Sequence, residues 1–145
     1  MMRLQSTFLR FRTDRSGTAA VEMAFVAPVF IVLLAAMIAY GIYLSASHSV
    51  EQIAADAART AVAGLDGAER RALVADYAKR NGGNYGFLDT SRLTLVVEDS
   101  PDGAPQFEVQ ASYDARNLPI WSLFRFIPLP GTTIERRSTI RAGGA

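Results

Sequence analysis

Near its N-terminus the chain reads Ser16-Gly17-Thr18-Ala19-Ala20-Val21-Glu22, and the next residue, Met23, opens an uncharged run of 22 residues. A carboxylate at that junction needs a reason, because a charge at a bilayer centre costs about 2.5–3.5 kcal/mol even on lenient scales. One account places Glu22 at the interface in a helix's first turn, where negative charge meets the positive end of the dipole. A second account also uses the residues around it. Cleavage after Gly17 would make Thr18 a free ammonium and Glu22 the fifth residue of the mature chain. Glycine before the bond suits a protease that must grip an extended backbone at the membrane surface. The ammonium of one subunit would then pair with Glu22 of its neighbour as apolar helices bundle. In a low-dielectric bundle that charge match would be strong and would fix the axial register.

Elsewhere the residue types argue against catalysis. The absence of cysteine excludes a disulfide framework and a thiolate metal site. A single histidine, His48, cannot build a multi-histidine zinc or iron site, and it is poorly placed to reach a serine for a triad. Asp99 and Asp102 fall in a stretch with two prolines and no bidentate glutamate, which reads as a turn and not as a calcium loop. Gly82-Gly83-Asn84-Tyr85-Gly86 lacks the Gly-Lys-Ser/Thr of a phosphate loop. No enzyme activity, cofactor or metal is expected.

The element that must carry Glu22 follows from the run Met23 to Leu44, in which only Pro28 and Gly41 fall outside the hydrophobic class. At ~1.5 Å per residue it spans roughly 33 Å, slightly more than a bilayer's hydrocarbon core, and it reads as a transmembrane helix. A secretory signal cut at Ser45-Ala46-Ser47 is the rival, but its apolar core would be about 7–15 residues. Arg3, Arg10, Arg12 and Arg15 precede the run, while the first basic residue after it is Arg59. Basic flanks stay cytoplasmic, so the N-terminus faces inward and residues 45–145 lie outside, in a bacterium the periplasm. The net charge of +1 is the sum of +3 in residues 1–17 and −2 in the other 128. A nucleic-acid binder would spread basic charge over its folded part, so no nucleic-acid partner is expected. With half the residues apolar, 20% charged and a mean hydropathy of +0.13, wholesale disorder is excluded.

Beyond the membrane, Ser45 to Ala63 continues in helical style. Val50, Ile53, Ala54, Ala57, Ala58 and Ala61 recur at spacings of three and four and mark an apolar stripe. Gly64 is the expected stop. Joined, these segments predict one helix from about Thr18 to Ala63, roughly 69 Å long, whose outer stripe needs either the protein's own globular part or another subunit. Asp66 followed by Glu69 resembles a capping box for a helix running to Arg80 and ended by Asn81-Gly82-Gly83-Asn84. Strand patterns follow at Arg92–Glu98 and Gln106–Tyr113, joined by a turn-rich stretch into a hairpin, and at Thr132–Arg141. Arg136, Arg137 and Arg141 read as a solvated face that blunts an edge strand. The apolar stretch 118–131 is either a loop tucked over the sheet or a patch, including Trp121, Phe124 and Phe126, offered to a partner or to the outer membrane face.

The fold class expected is α+β: a long N-terminal helix, a short helix and a small antiparallel sheet of about three strands. The organisation is a basic leader (1–17), a transmembrane helix (18–44), a helical stalk (45–63) and a periplasmic α+β domain (64–145).

A short basic leader, glycine, four residues, glutamate and then an apolar helix resembles the type III signal of type IV pilins and pseudopilins. More narrowly, Gly17-Thr18-Ala19-Ala20-Val21-Glu22-Met23-Ala24-Phe25-Val26-Ala27-Pro28 is similar to the start of TadE-like proteins of the Tad (Flp) pilus system. Those share a Gly-Ala-rich-Val-Glu opening, a proline six positions after the glutamate and a long apolar helix. Their helical stalk, their β-rich C-terminal part and an aromatic, proline-rich loop before a last strand are also similar, here from Tyr113 to Arg141. Met23 stands where Tad pseudopilins commonly carry an aromatic residue. The resemblance implies a non-enzymatic minor pilin or pseudopilin, cut after Gly17 by prepilin peptidase and acting in pilus assembly through helix–helix contacts. It makes Gly17 the recognition residue, Thr18 the new terminus, Glu22 the assembly charge and Pro28 a helix motif. The implied partners are other pilins or pseudopilins, the inner-membrane assembly platform and membrane lipid. The implied place is the bacterial inner membrane, with passage into an extracellular pilus open. The alternative is an uncleaved bitopic scaffold presenting a periplasmic interaction domain.

Overall fold

The structure is a computed structural model describing residues 16–81, 88–100, 105–123, 128 and 130–141. A single helix, α1 (Ser16–Ala61, 46 residues), runs through Pro28 without interruption, two residues displaced at each end from the expected bounds. Contacts divide the chain into residues 1–38 and 39–145. In the first unit no described side chain from Gly17 to Ile38 is buried, and Val21, Phe25, Val29 and Met37 are each at least 60% exposed. A helix that is apolar all round is stable only in an apolar surrounding, and α1 is long and apolar enough to cross a membrane.

In the second unit α1 becomes one-sided. Val50, Ile53, Ala54, Ala57, Ala58 and Ala61 are all at most 1% exposed, while Glu51, Gln52 and Arg59 face outward. The stripe therefore lies on the protein's own sheet. Ala46, Val50 and Ala54 meet Ala111, Tyr113 and Ile134. Ile53, Ala57 and Ala61 meet Val74, Tyr77, Phe107 and Val109. The alanines keep the helix backbone close to the strands, so the larger side chains of the sheet fill the layer between them.

A close turn then leads into α2 (Gly67–Asn81). Gly64 ends α1 as expected, but not through a left-handed backbone. Its N–H donates to the Ala61 carbonyl at 3.0 Å, and a Cβ there would sit 2.7 Å from the Arg70 nitrogen, so close approach is what excludes a side chain. The cap also departs from the standard box. Asp66 Oδ1 accepts the Glu69 N–H at 2.8 Å, yet Glu69 Oε2 accepts from Leu65, one residue before the cap, at 2.8 Å. The helix ends at Asn81, as the Asn-Gly-Gly-Asn signal predicts; residues 82–84 lie outside the described residues.

Strands β1 (Leu93–Asp99), β2 (Gln106–Asp114) and β3 (Thr133–Arg141) form an antiparallel sheet in that order. The register sets Leu93 opposite Tyr113 and Tyr113 opposite Ile134. On β2 the alternation is complete: Phe107, Val109, Ala111 and Tyr113 are buried under the helices. The opposite face is polar, with Glu108 accepting from Thr139 at 3.3 Å and pairing with Arg137 at 3.4 Å. The α+β architecture is thus two layers, helices on one face of a three-stranded sheet and a polar surface on the other.

One strand assignment needs correction. Arg136 does not share the solvated face of Arg137 and Arg141. It stands opposite Ala111, on the helix side, and its guanidinium donates to the hydroxyl of buried Ser47 on α1. Period-two alternation places it there, because Ile134 and Ile140 of the same parity face the helices.

The stretch before β3 is tied into the domain. Leu118 and Ile120 are buried, and a one-turn helix, α3 (Ile120–Leu123), follows, which the sequence patterns do not announce. Trp121 is half-buried, and its indole Nε1 donates to the Ala115 carbonyl at 2.6 Å. Two tyrosines of α1 hold the far end. Tyr40 donates to the Pro128 carbonyl at 2.5 Å and Tyr43 to that of Gly131 at 3.3 Å. Phe124 and Phe126 lie outside the described residues.

Candidate processing and assembly site

Gly17, Thr18 and Glu22 occupy the first two turns of α1, and all three are exposed. Thr18 and Glu22 stand four residues apart and share one helix face. Among the described residues Glu22 has no ion-pair partner. A Cβ on Gly17 would meet nothing within 4 Å and its backbone is not left-handed. Neither packing nor φ therefore requires glycine at this position.

What glycine does here is weaken a helix start. The Gly17–Thr18 bond lies inside the first helical turn. Glycine in a helix is less stable than alanine by about 1 kcal/mol, and the first turn already lacks acceptors for its N–H groups. Pro28, six residues beyond Glu22, is part of the same helix. It removes a backbone donor and leaves the carbonyl of Ala24 without its helical partner.

The second unit holds its own polar clusters, which sequence reasoning passed over. Asp114 caps the turn Ala115–Asn117. Its carboxylate accepts the Arg116 Nε at 2.9 Å, the Arg116 Nη2 at 2.6 Å and the Arg116 backbone N–H at 3.1 Å. These bonds from Arg116, with the nearby Arg92 charge, lower its pKa to about 2, and the same contact raises that of Arg116. Asp89 caps Thr90–Arg92 in the same way, accepting from the Ser91 hydroxyl at 2.6 Å and the Ser91 N–H at 3.1 Å. Those bonds pull its pKa below the ordinary carboxylate value. Arg92 lies between the two caps, 3.5 Å from Asp89 and 3.4 Å from Asp114, and ties the start of β1 to the end of β2. The sequence signal was an aspartate followed two residues later by a donor side chain, Asp89-Thr90-Ser91 and Asp114-Ala115-Arg116.

Arg70 links the α2 start to the end of β1. It donates to Asp99 at 2.5 Å, and its guanidinium lies 4.8 Å over the Phe107 ring. Asp99 is thereby engaged in a structural pair; Asp102 lies outside the described residues. His48 is exposed, 3.8 Å from Glu51. Among the described residues no three His, Cys, Asp or Glu side chains converge as a metal site.

Comparison with curated proteins and with solved structures returns no match for the chain. The family comparison does return one. It begins at the glycine of the candidate cleavage bond, takes in Glu22 and Pro28, and continues into the buried stripe. Residues 17–59, the greater part of α1, match the family described as TadE-like protein.

Proposed function

We propose that the chain is a minor pilin or pseudopilin of a tight-adherence (Tad/Flp) pilus system, cut after Gly17 by prepilin peptidase. Its helix holds it in the bacterial inner membrane, with the N-terminus cytoplasmic and the C-terminal domain periplasmic. The observation that carries this reading is that the TadE-like match begins at Gly17 and includes the Gly-x4-Glu spacing, on a helix that exposes large apolar side chains from Val21 to Ile38. The outer stripe of α1 is already covered by the protein's own sheet. The uncovered apolar surface, from Val21 to Ile38, is what remains for lipid and for the helices of other pilins or the assembly platform. Glu22, exposed on that helix and without an ion-pair partner among the described residues, would meet the Thr18 ammonium of a neighbouring subunit. In this reading the protein is not an enzyme.

The test separates recognition from assembly. Glu22→Ala leaves processing intact and stops pilus formation, whereas Gly17→Ala is processed better than Gly17→Val. Both are read by immunoblot of the processed form and by counting pili on cells carrying only the variant. Normal piliation with Glu22→Ala removes the proposed role of that charge.

A further inference from the structure

A cavity of about 440 Å³ opens beside the α1 turn that holds Gly41, Ile42 and Ser45, and its other wall is Leu118 and Pro119. That volume is within the range of small-molecule sites. Its lining is mainly apolar, with the polar groups of Asp89, Asn117 and Ser45 at hand. Gly41 contributes to the space directly, since a Cβ there would meet nothing within 4 Å. The helical wall coincides with the last residues of the 22-residue uncharged run, Met23 to Leu44. If that run spans a bilayer, Gly41 to Ser45 stand at headgroup level on the outer side. Tyr40 and Tyr43, the residue type enriched at that level, hold Pro128 and Gly131 next to the same turn.

We infer that this cavity seats the head and the upper part of one chain of a phospholipid whose head carries a primary ammonium, an inference that rests on the membrane-spanning reading above. An acyl chain follows Ile42, Leu118 and Pro119, where apolar contact replaces lipid contact. The Asn117 amide and the Ser45 hydroxyl donate to the phosphate or ester oxygens. The ammonium meets the Asp89 carboxylate, which also accepts from Ser91 and lies 3.5 Å from Arg92. Occupant and site match in each part: apolar tail to apolar wall, acceptor oxygens to donors, cation to anion.

Trp121 is the only tryptophan, and it packs on the cluster that contains Leu118, which makes it a built-in reporter. The full chain is reconstituted in phosphatidylcholine vesicles containing equal fractions of dibrominated-chain phosphatidylethanolamine, phosphatidylglycerol or phosphatidylcholine. Trp121 emission is followed after flotation. Expected is stronger quenching by the ethanolamine lipid than by the other two. Gly41→Leu, which puts a branched side chain into the helical wall of the cavity and favours the helix, abolishes that preference. Asp89→Asn, which keeps the capping oxygen, lowers it about threefold, the scale of an exposed ion pair. Equal quenching by all three heads, or a preference that survives Gly41→Leu, overturns the inference while leaving the membrane reading intact. A disulfide dimer of Gly41→Cys in the vesicles also overturns it, since a second copy then covers the groove. Failure of the chain to float with the vesicles refutes both readings.

Discussion

Replacing Ala57 by leucine tests whether the outer half of α1 belongs to the protein's own core. Ala57 is fully buried, in a cluster with Val74, Phe107 and Val109, where the helix backbone lies close to the sheet. Leucine adds three carbons to a layer already filled by those side chains. Overpacking of this kind costs about 1–3 kcal/mol, while alanine and leucine differ little in helix propensity. For a unit of about 107 residues, Ala39–Ala145, roughly 4 °C of Tm corresponds to each kcal/mol. The expected loss is therefore about 4–12 °C, followed by Trp121 fluorescence on the detergent-solubilised full chain. Gln52→Leu, on the exposed face of the same helix, is the control and stays within about 0.5 kcal/mol. If Ala57→Leu melts with Gln52→Leu, the stripe is not seated on this sheet. If its loss depends on protein concentration, the stripe belongs to an interface between subunits.

The two neighbouring arginines of β3 separate in the same assay. Arg136→Ala leaves the buried Ser47 hydroxyl without the guanidinium it contacts and costs about 1–3 kcal/mol, whereas Arg137→Ala, on the polar face, stays within about 0.5 kcal/mol. The Asp114 clamp gives a pH signature. A carboxylate held at about 2, below its ordinary 3.8, contributes stability that is fully present above the ordinary value and is lost as pH falls through about 2. Thermal melts across that interval therefore show an acid limb that is shallower in Asp114→Asn, and an unchanged limb contradicts the clamp.

Much of this architecture was legible in the residues. The stripe from Val50 to Ala61 stated which helix face is buried, because spacing of three and four allows only one. The alternation of Phe107, Val109, Ala111 and Tyr113 did the same for β2. What the stripe could not state was its partner, since an alanine face fits a sheet or another helix equally well. Arg136 was misread because charge was weighed above parity, and parity with Ile134 and Ile140 prevailed. Gly64 was read only as the stop of α1, while its reason is the Arg70 backbone beside it, a contact between positions no local pattern connects. The tyrosine bonds from α1 to Pro128 and Gly131 span 88 residues and leave no local trace. At the N-terminus the relation was the reverse. The Gly17–Glu22 spacing carried the functional reading, and the structure adds that no packing demand accounts for the glycine.

The central claim is that the Gly17–Thr18 bond is cut, and the intact mass of the membrane-extracted protein tests it most directly. The protein is produced with and without its own prepilin peptidase. The account predicts a 128-residue species beginning at Thr18, present only with the peptidase. A full-length chain in both samples contradicts it and leaves an uncleaved scaffold whose function lies in its C-terminal domain.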